Sequence, residues 1–157
     1  MPGNPAFMQQ AIDLATNSVL SGRGGPFGAV IVQDGKVLAT GSNLVTATND
    51  PTAHAEVVAI RSACSALGAF TLKGCDIYTS CEPCPMCLAA VYWARMDHIY
   101  FGSTAADAAA AGFDDAFLYD EIKRPSAQRS IPATNLLRDQ ALSSFNAWRN
   151  FAGRIDY

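Results

Sequence analysis

Hydrophobic positions near the start of the chain predict a helix followed by a β-hairpin. Between residues 6 and 21, apolar residues recur at helical spacing, at Phe7, Met8, Ala11, Ile12, Ala15 and Val19. The segment 22–26 (GRGGP) ends that pattern. Two apolar runs, 27–32 and 36–39, then flank Asp34-Gly35, a dipeptide typical of hairpin turns.

Beyond the hairpin, the pattern alternates between helix and strand. Asp50-Pro51 has the form of an N-cap followed by proline and predicts a helix that ends near Leu67. Residues 75–79 and 98–101 are apolar enough to predict buried strands, and Pro85 opens a helix between them that runs to Trp93. No repeat or linker interrupts this order. We therefore expect a single α/β domain over residues 1–157, with a mixed sheet covered by helices.

The C-terminal stretch 141–157 is helical in pattern and rich in aromatic residues. Phe145, Trp148 and Phe151 are interpreted as residues of a core or an interface rather than of a cofactor site.

Composition and charge narrow the range of functions. Half of the 157 residues are hydrophobic and 16% are charged, which indicates an ordered globular protein. The net charge is −3, and Lys123-Arg124 is the only adjacent basic pair, so the sequence shows no basic face for a nucleic acid. No apolar run approaches the roughly 20 residues that span a bilayer, and no secretory signal is visible. We expect a cytoplasmic protein without membrane or nucleic-acid partners.

Cys84 and Cys87 carry the strongest chemical signal. Their spacing, in a chain with an odd number of cysteines and no secretory signal, favours metal or redox chemistry over a disulfide framework. On the first turn of a helix both sulfurs can face one point, and the positive helix end favours thiolates. With His54 they would supply three tetrahedral zinc ligands and leave the fourth position open, as in catalytic zinc sites.

Glu56 lies two residues after His54, so in a regular helix the two side chains would point about 200° apart. Both can approach one metal only if it lies near the helix end. Glu56 would then be free to act as a proton shuttle beside a water molecule at the metal.

The remaining cysteines, Cys64, Cys75 and Cys81, are interpreted as small core or near-site residues. The alternative to a catalytic site is a non-catalytic module that uses zinc to fold. Structural zinc normally has a fourth protein ligand, and Cys81 is the nearby candidate.

The combination His-x-Glu followed by Pro-Cys-x-x-Cys is a signature of zinc nucleobase deaminases. The sequence resembles the cytidine-deaminase superfamily and, more closely, its small bacterial-type guanine deaminases. The resemblance spans nearly the whole chain and is carried by residues 24–30 (GGPFGAV), 49–56 (NDPTAHAE), 79–87 (TSCEPCPMC), 111–115 (AGFDD) and 145–151 (FNAWRNF). The last two stretches discriminate between members of the superfamily.

The resemblance implies a three-layer α/β/α sandwich with one Zn²⁺ per chain. The ligands would be His54, Cys84 and Cys87, and Glu56 would be the proton shuttle. It also implies a homodimer in which the C-terminal segments, about residues 141–157, are exchanged.

The resemblance further implies substrate contacts. Phe27 would pack on the base, Asn43 would hydrogen bond to the purine, and Asp115 would accept hydrogen bonds from the N–H edge of guanine. Tyr157 would reach the site of the neighbouring subunit. The alternatives are a turn role for Asn43 and a helix-capping role for Asp114 or Asp115.

These inferences predict the hydrolysis of guanine, a small purine base, to xanthine and ammonia. Guanosine, cytosine and adenosine in transfer RNA remain alternative substrates. The acidic charge disfavours transfer RNA, and the sequence leaves the choice between free base and nucleoside open.

Overall fold

The computed structural model describes residues 3–113 and 115–157, without the side chain of Asp115. The chain divides into two compact units, Met1–Leu118 and Tyr119–Tyr157.

The first unit follows the predicted order of helices and strands. Its helices are α1 (Pro5–Leu20), α2 (Val45–Thr48), α3 (Ala55–Leu67), α4 (Pro85–Trp93) and α5 (Ala105–Ala110). Its strands are β1 (Gly28–Gln33), β2 (Lys36–Ser42), β3 (Cys75–Cys81) and β4 (His98–Ser103). Helix α6 (Asp115–Lys123) begins in this unit and ends in the second.

The four strands form one mixed sheet in the order β2-β1-β3-β4. Strand β1 is antiparallel to both β2 and β3, whereas β3 and β4 are parallel and are connected by α4. The hairpin turn lies at Asp34-Gly35, where both residues have positive φ, as the short turn of a hairpin favours. The mixed sheet predicted from the sequence is confirmed.

The sheet is covered on both faces. One face packs Ala29, Ile31 and Ile77 against α3 and α4, and the other packs Val30, Val32 and Tyr78 against α1. Neighbouring residues of β1 thus point to opposite faces and both are buried, which explains why this strand is apolar throughout. The three-layer α/β/α arrangement is therefore confirmed.

Helix α3 approaches the sheet closely at Gly41. A Cβ atom on Gly41 would lie 2.2 Å from the carbonyl oxygen of Ala55 and 2.7 Å from the nitrogen of Ala59. Only glycine fits under this contact, which presses the first turn of α3 against β2 and so fixes the position of the residues at its N-terminus.

The sequence placed the start of α3 four residues too early. Asp50 does not cap the helix; its Oδ1 accepts hydrogen bonds from the backbone N–H and the hydroxyl of Thr52, at 2.8 and 2.7 Å, and so forms a separate turn. The N-cap is His54, and the predicted end at Leu67 is confirmed.

The second unit consists of the end of α6, a 3₁₀ turn (Ser126–Gln128) and α7 (Arg138–Asn150). Its one buried residue among those described is Glu121, whose Oε2 accepts hydrogen bonds from the N–H and hydroxyl of Ser130. The predicted aromatic helix is present, but it starts earlier and ends at Asn150, before Phe151. Its aromatic side chains, Phe145 and Trp148, are not core residues of this unit, since both are exposed.

Candidate active site

His54, Cys84 and Cys87 converge at one point in the first unit. Among the residues that the structure describes, they form the one group whose side chains could hold a metal ion, with ligand atoms within 4.8 Å of one another. The Nδ1 atom of His54 lies 3.6 Å from each Sγ atom. A tetrahedral zinc ion with bonds of about 2.3 Å to sulfur and about 2.0 Å to nitrogen would separate its ligand atoms by about 3.5 Å. The observed spacing therefore fits zinc.

Two helix N-termini bring these three residues together. His54 is the N-cap of α3 and Cys84 is the N-cap of α4, both with extended backbone conformations, and Cys87 lies on the first turn of α4. Proline at the first position of α4 suits this helix start, because its ring fixes φ and no N–H bond is lost there. The three candidate ligands thus lie at helix N-termini, and the metal position expected there stays a prediction.

The two thiols share a hydrogen bond that shifts their pKa values in opposite directions. A hydrogen bond from Cys87 and, to a lesser extent, the neighbouring His54 lower the pKa of Cys84 to about 4, against the opposing effect of burial. The same hydrogen bond, reinforced by burial, raises the pKa of Cys87. One thiolate is thus favoured by the neighbouring protein groups themselves, and thiolate is the form that binds zinc.

Glu56 lies on the first turn of α3 and is buried. Burial raises the pKa of its carboxyl group above the ordinary value of 4.5, while a hydrogen bond from its own backbone N–H acts in the opposite direction. A carboxyl group tuned upward in this way exchanges protons more readily near neutral pH than an exposed one.

A cavity of about 440 Å³ opens beside the cluster. This volume lies within the range of small-molecule sites. Its lining combines the cluster, carboxylates and apolar side chains: Gly25, Phe27, Asn43, Val45, Thr46, His54, Glu56, Glu82, Cys84 and Phe113.

One wall of the cavity is aromatic. The rings of Phe27 and Phe113 meet edge to face with centroids 4.8 Å apart. Asn43 follows β2 and is buried; its Oδ1 atom accepts hydrogen bonds from the backbone N–H groups of Gly25 and Val45, at 3.3 and 3.2 Å. The amide oxygen is thus committed to the backbone.

The structure brings together five residues singled out from the sequence and named above as metal, proton-shuttle or base-contact candidates: His54, Cys84, Glu56, Phe27 and Asn43 line the same cavity. Cys87 lies beside it in the metal group. The side chain of Asp115 and all of Asp114 lie outside the described residues. Tyr157 belongs to the second unit, where its ring meets that of Trp148 edge to face at 6.4 Å.

Cys81 is not part of the metal group among the described residues. It is buried, and its Sγ donates a hydrogen bond to the carbonyl oxygen of Thr104 at 3.7 Å. Two other lining residues, Glu82 and Phe113, were given no role from the sequence, although each lies within a stretch that carries the resemblance. Their position in those stretches was the signal by which the sequence could have indicated that they lie near the site.

The family model described as the cytidine and deoxycytidylate deaminase zinc-binding region matches residues 2–103. The chain belongs to this family. It is similar to guanine deaminase of Bacillus subtilis, with 55% identity over 96% of this chain and 97% of that protein. A crystal structure of guanine deaminase from B. subtilis superposes with a TM-score of 0.96, at 53% identity and 99% coverage of both chains. Similarity to the tRNA-specific adenosine deaminase of Agrobacterium fabrum, at 50% identity, covers half of this chain and 51% of that protein.

Proposed function

We propose that this chain is a zinc-dependent hydrolase that converts guanine and water to xanthine and ammonia. The observation that carries the proposal is the convergence of three zinc-type ligands and a buried carboxyl group on one cavity of suitable size. Similarity over essentially the full length to a guanine deaminase supports guanine as the substrate.

His54, Cys84 and Cys87 are the residues that would hold one Zn²⁺ per chain, since the Nδ1 atom of His54 lies 3.6 Å from each Sγ atom, a distance that suits tetrahedral zinc. When bound, zinc would lower the pKa of a water molecule to near neutrality and thereby supply the nucleophile. With Cys84 and Cys87 as thiolates and His54 neutral, the three ligands would balance the two positive charges of the ion.

Glu56 is the group that moves protons. In the reaction, the ring carbon of guanine that bears the amino group gains the oxygen of water and loses that amino group as ammonia. Glu56 takes a proton from the water and delivers it to the leaving amine, and the second proton of the water ends on the ring nitrogen beside the new carbonyl group. Its buried position and raised pKa suit both roles, because the carboxyl group must accept a proton and release it again.

Asn43 and Phe27 are proposed to orient the base. Since the Oδ1 atom of Asn43 accepts from Gly25 and Val45, its NH₂ group is the part left to meet a ligand. Asn43 would therefore donate to ring acceptors of the purine rather than read its N–H groups. Phe27 would pack against the ring.

Recognition of the N–H edge of guanine requires an acceptor, and we assign this role to Asp115 on the resemblance. Adenine presents a bare ring acceptor at the corresponding position, so an ionised carboxylate would face it without a hydrogen atom between. An unpaired buried polar group costs about 1–3 kcal/mol, which gives roughly a tenfold to hundredfold preference for guanine.

A homodimer with exchanged C-terminal segments, about residues 141–157, is proposed as the functional assembly. The second unit supports it, because its large apolar side chains are exposed: Phe145 by 63%, Phe151 by 60% and Tyr157 by 75%. Their burial against a second copy would be the driving force. Tyr157 would then complete the site of the partner subunit. If the two chains do interlock in this way, residues 1–157 act as one domain.

Other amino-substituted rings remain second candidates. Guanosine requires space for a sugar, cytosine would leave part of the purine site empty, and adenosine in transfer RNA requires a basic surface that a net charge of −3 disfavours.

A zinc module without activity would leave the buried Glu56 without a role. Cys81, the candidate fourth ligand of such a module, bonds to Thr104 instead.

The cellular setting is proposed from chemistry. None of the five cysteines forms a disulfide, as expected for a reducing compartment such as the cytoplasm. Among the described residues, no helix has the length and apolar character needed to cross a bilayer.

The direct test is to supply guanine to the zinc-loaded protein and to quantify xanthine and ammonia. We expect equal amounts of both products, loss of turnover after chelation and recovery when zinc is restored. Zinc-loaded protein that releases no ammonia from any amino-purine or amino-pyrimidine would overturn the proposal.

A further inference from the structure

Glu82 lines the cavity but has no part in the proposed chemistry. It lies between the end of β3 and Cys84, and its side chain joins Glu56 and Phe113 in the lining. Its Oε2 atom accepts a hydrogen bond from the backbone N–H of Ala105, the first residue of α5, at 3.0 Å. The carboxylate of Glu82 therefore links the cavity lining to the start of α5.

This bond belongs to a set that ties the end of β3 to the segment before α5. The backbone N–H of Glu82 donates to the carbonyl oxygen of Ser103 at 2.8 Å, and the hydroxyl of Ser103 donates to the carbonyl oxygen of Ser80 at 3.0 Å. A capping box between Thr104 and Asp107 satisfies neighbouring N–H groups of α5. Of the residues in this set, Glu82 is the one that also lines the cavity.

Helix α5 leads directly to the aromatic wall. The chain leaves α5 through Gly112, and the backbone N–H of Phe113 donates to the carbonyl oxygen of Ala108 at 3.0 Å. Phe113 is thereby held on the end of α5, and its ring packs edge to face on Phe27. A shift of α5 would move Phe113 relative to Phe27 and change the width of the cavity.

We infer that Glu82 is a positioning residue that fixes α5 and, through it, places Phe113 against Phe27 in the substrate cavity. The inference rests on the proposed function for its substrate, guanine. The role requires an acceptor for one N–H group and no proton transfer, so a neutral acceptor of the same length can replace the carboxylate. This requirement separates Glu82 from Glu56, where the carboxyl group itself is needed.

The test compares Glu82→Ala with Glu82→Gln in the zinc-loaded, full-length protein. Because small displacements of positioning groups cost up to about a hundredfold, we expect Glu82→Ala to lower kcat/KM for guanine roughly tenfold to hundredfold. The loss should fall mainly on KM, since a cavity wall binds the ground state and the transition state alike. Glu82→Gln should stay within about threefold of the unaltered protein, because its amide oxygen can accept from Ala105.

A double-mutant cycle identifies the route. If Glu82 acts through Phe113, then adding Glu82→Ala to Phe113→Leu should cost much less than Glu82→Ala costs alone. Hydrogen exchange of the segment 104–113 gives a measurement that needs no substrate. That segment should exchange faster in Glu82→Ala than in the unaltered protein, and Glu82→Gln should restore protection.

Additive losses, or a Glu82→Gln variant as impaired as Glu82→Ala, would overturn the positioning role. Unchanged exchange of residues 104–113 in Glu82→Ala would overturn it as well. If the unaltered protein does not deaminate guanine, the proposed function fails, and hydrogen exchange decides the role of Glu82 by itself.

Discussion

Ile31 and Ile77, in the sheet of Met1–Leu118, have no exposed surface, whereas Phe145 and Phe151, in Tyr119–Tyr157, expose 63% and 60% of theirs. The first unit buries one hydrophobic core cluster on each face of its sheet. The second has one buried residue among those described, and it is a glutamate. The first unit thus carries its own source of stability, while Phe145 and Phe151 of the second leave most of their surface exposed.

The two units also differ in how they treat a buried carboxyl group. Burial raises the pKa of Glu56 in the first unit. In the second, hydrogen bonds from the N–H and hydroxyl of Ser130 lower the pKa of Glu121. Fixed hydrogen-bond donors keep the carboxyl group of Glu121 charged, and such a group stabilises local structure. Burial disfavours the charged form of Glu56, and such a group is suited to proton transfer. The contrast agrees with the proton transfer proposed for Glu56 and with a structural role for Glu121.

The largest effect is expected from Cys84→Ala. Removing one of three ligands should abolish zinc binding and turnover, which metal analysis of the purified protein and an ammonia assay would check. Cys64→Ala is the matched control. Cys64 packs against the core, so this variant should retain its zinc. Undiminished zinc in Cys84→Ala would refute the ligand assignment.

Glu56→Gln is expected to lower kcat by about 10²–10⁴-fold, since an amide cannot accept and return a proton at neutral pH. Zinc content and the unfolding temperature should change little. Glu121→Gln, the other buried glutamate, should keep normal kcat. A near-normal rate in zinc-replete Glu56→Gln would assign proton transfer to another group.

Deleting residues 153–157 should impair catalysis more than folding, with a loss in kcat/KM of roughly tenfold to hundredfold. The reason is that Tyr157 is proposed to reach the partner's site. Mixing this truncated chain with Glu56→Gln under conditions of subunit exchange gives a sharper test. Mixed dimers contain one site with an intact Glu56 and an intact partner tail, so activity should exceed that of either variant alone.

A fully active truncated monomer, or a mixture no more active than its components, would contradict the exchange of C-terminal segments.

The smallest effect concerns Glu121 and pH. Because hydrogen bonds lower its pKa in the folded chain, its contribution to stability is present above the ordinary value of 4.5 and is lost as the pH falls through the lowered pKa. As the pH falls from neutral through the lowered pKa, hydrogen exchange of residues 119–130 should rise, after correction for intrinsic rates, more in the unaltered protein than in Glu121→Gln. An identical response in both would remove Glu121 as the cause.

The parts of the fold that could be predicted from the sequence are those with strong local signals. Asp34-Gly35 predicted the hairpin, and Pro85 predicted the start of α4, because turn and cap chemistry is local. The start of α3 was misjudged, since the side chain of Asp50 could serve either a helix or a turn. Helix α5 was missed because residues 105–111 are nearly all alanine and show no contrast between polar and apolar positions.

Some residues of the site could be predicted from their spacing, others only from family resemblance, and one only from the structure. The spacing of Cys84 and Cys87 and the His-x-Glu pair indicated a shared metal before any geometry was known. Phe27 and Asn43 were reached through family resemblance, since their meeting at the cavity depends on how β1 and β2 pair. The role inferred for Glu82 could be found only from the structure. Its partner lies 23 residues away and is a backbone N–H group, which nearly every residue carries and no sequence pattern marks.

The most direct test of the central claim is a set of kcat/KM values for guanine, guanosine, cytosine and adenine, measured with the zinc-loaded protein at one pH by ammonia release. The account predicts that guanine has the highest value and exceeds adenine by roughly tenfold to hundredfold, the cost of an unpaired carboxylate. A higher value for guanosine or cytosine would contradict guanine as the substrate, while leaving a zinc-dependent deaminase in place.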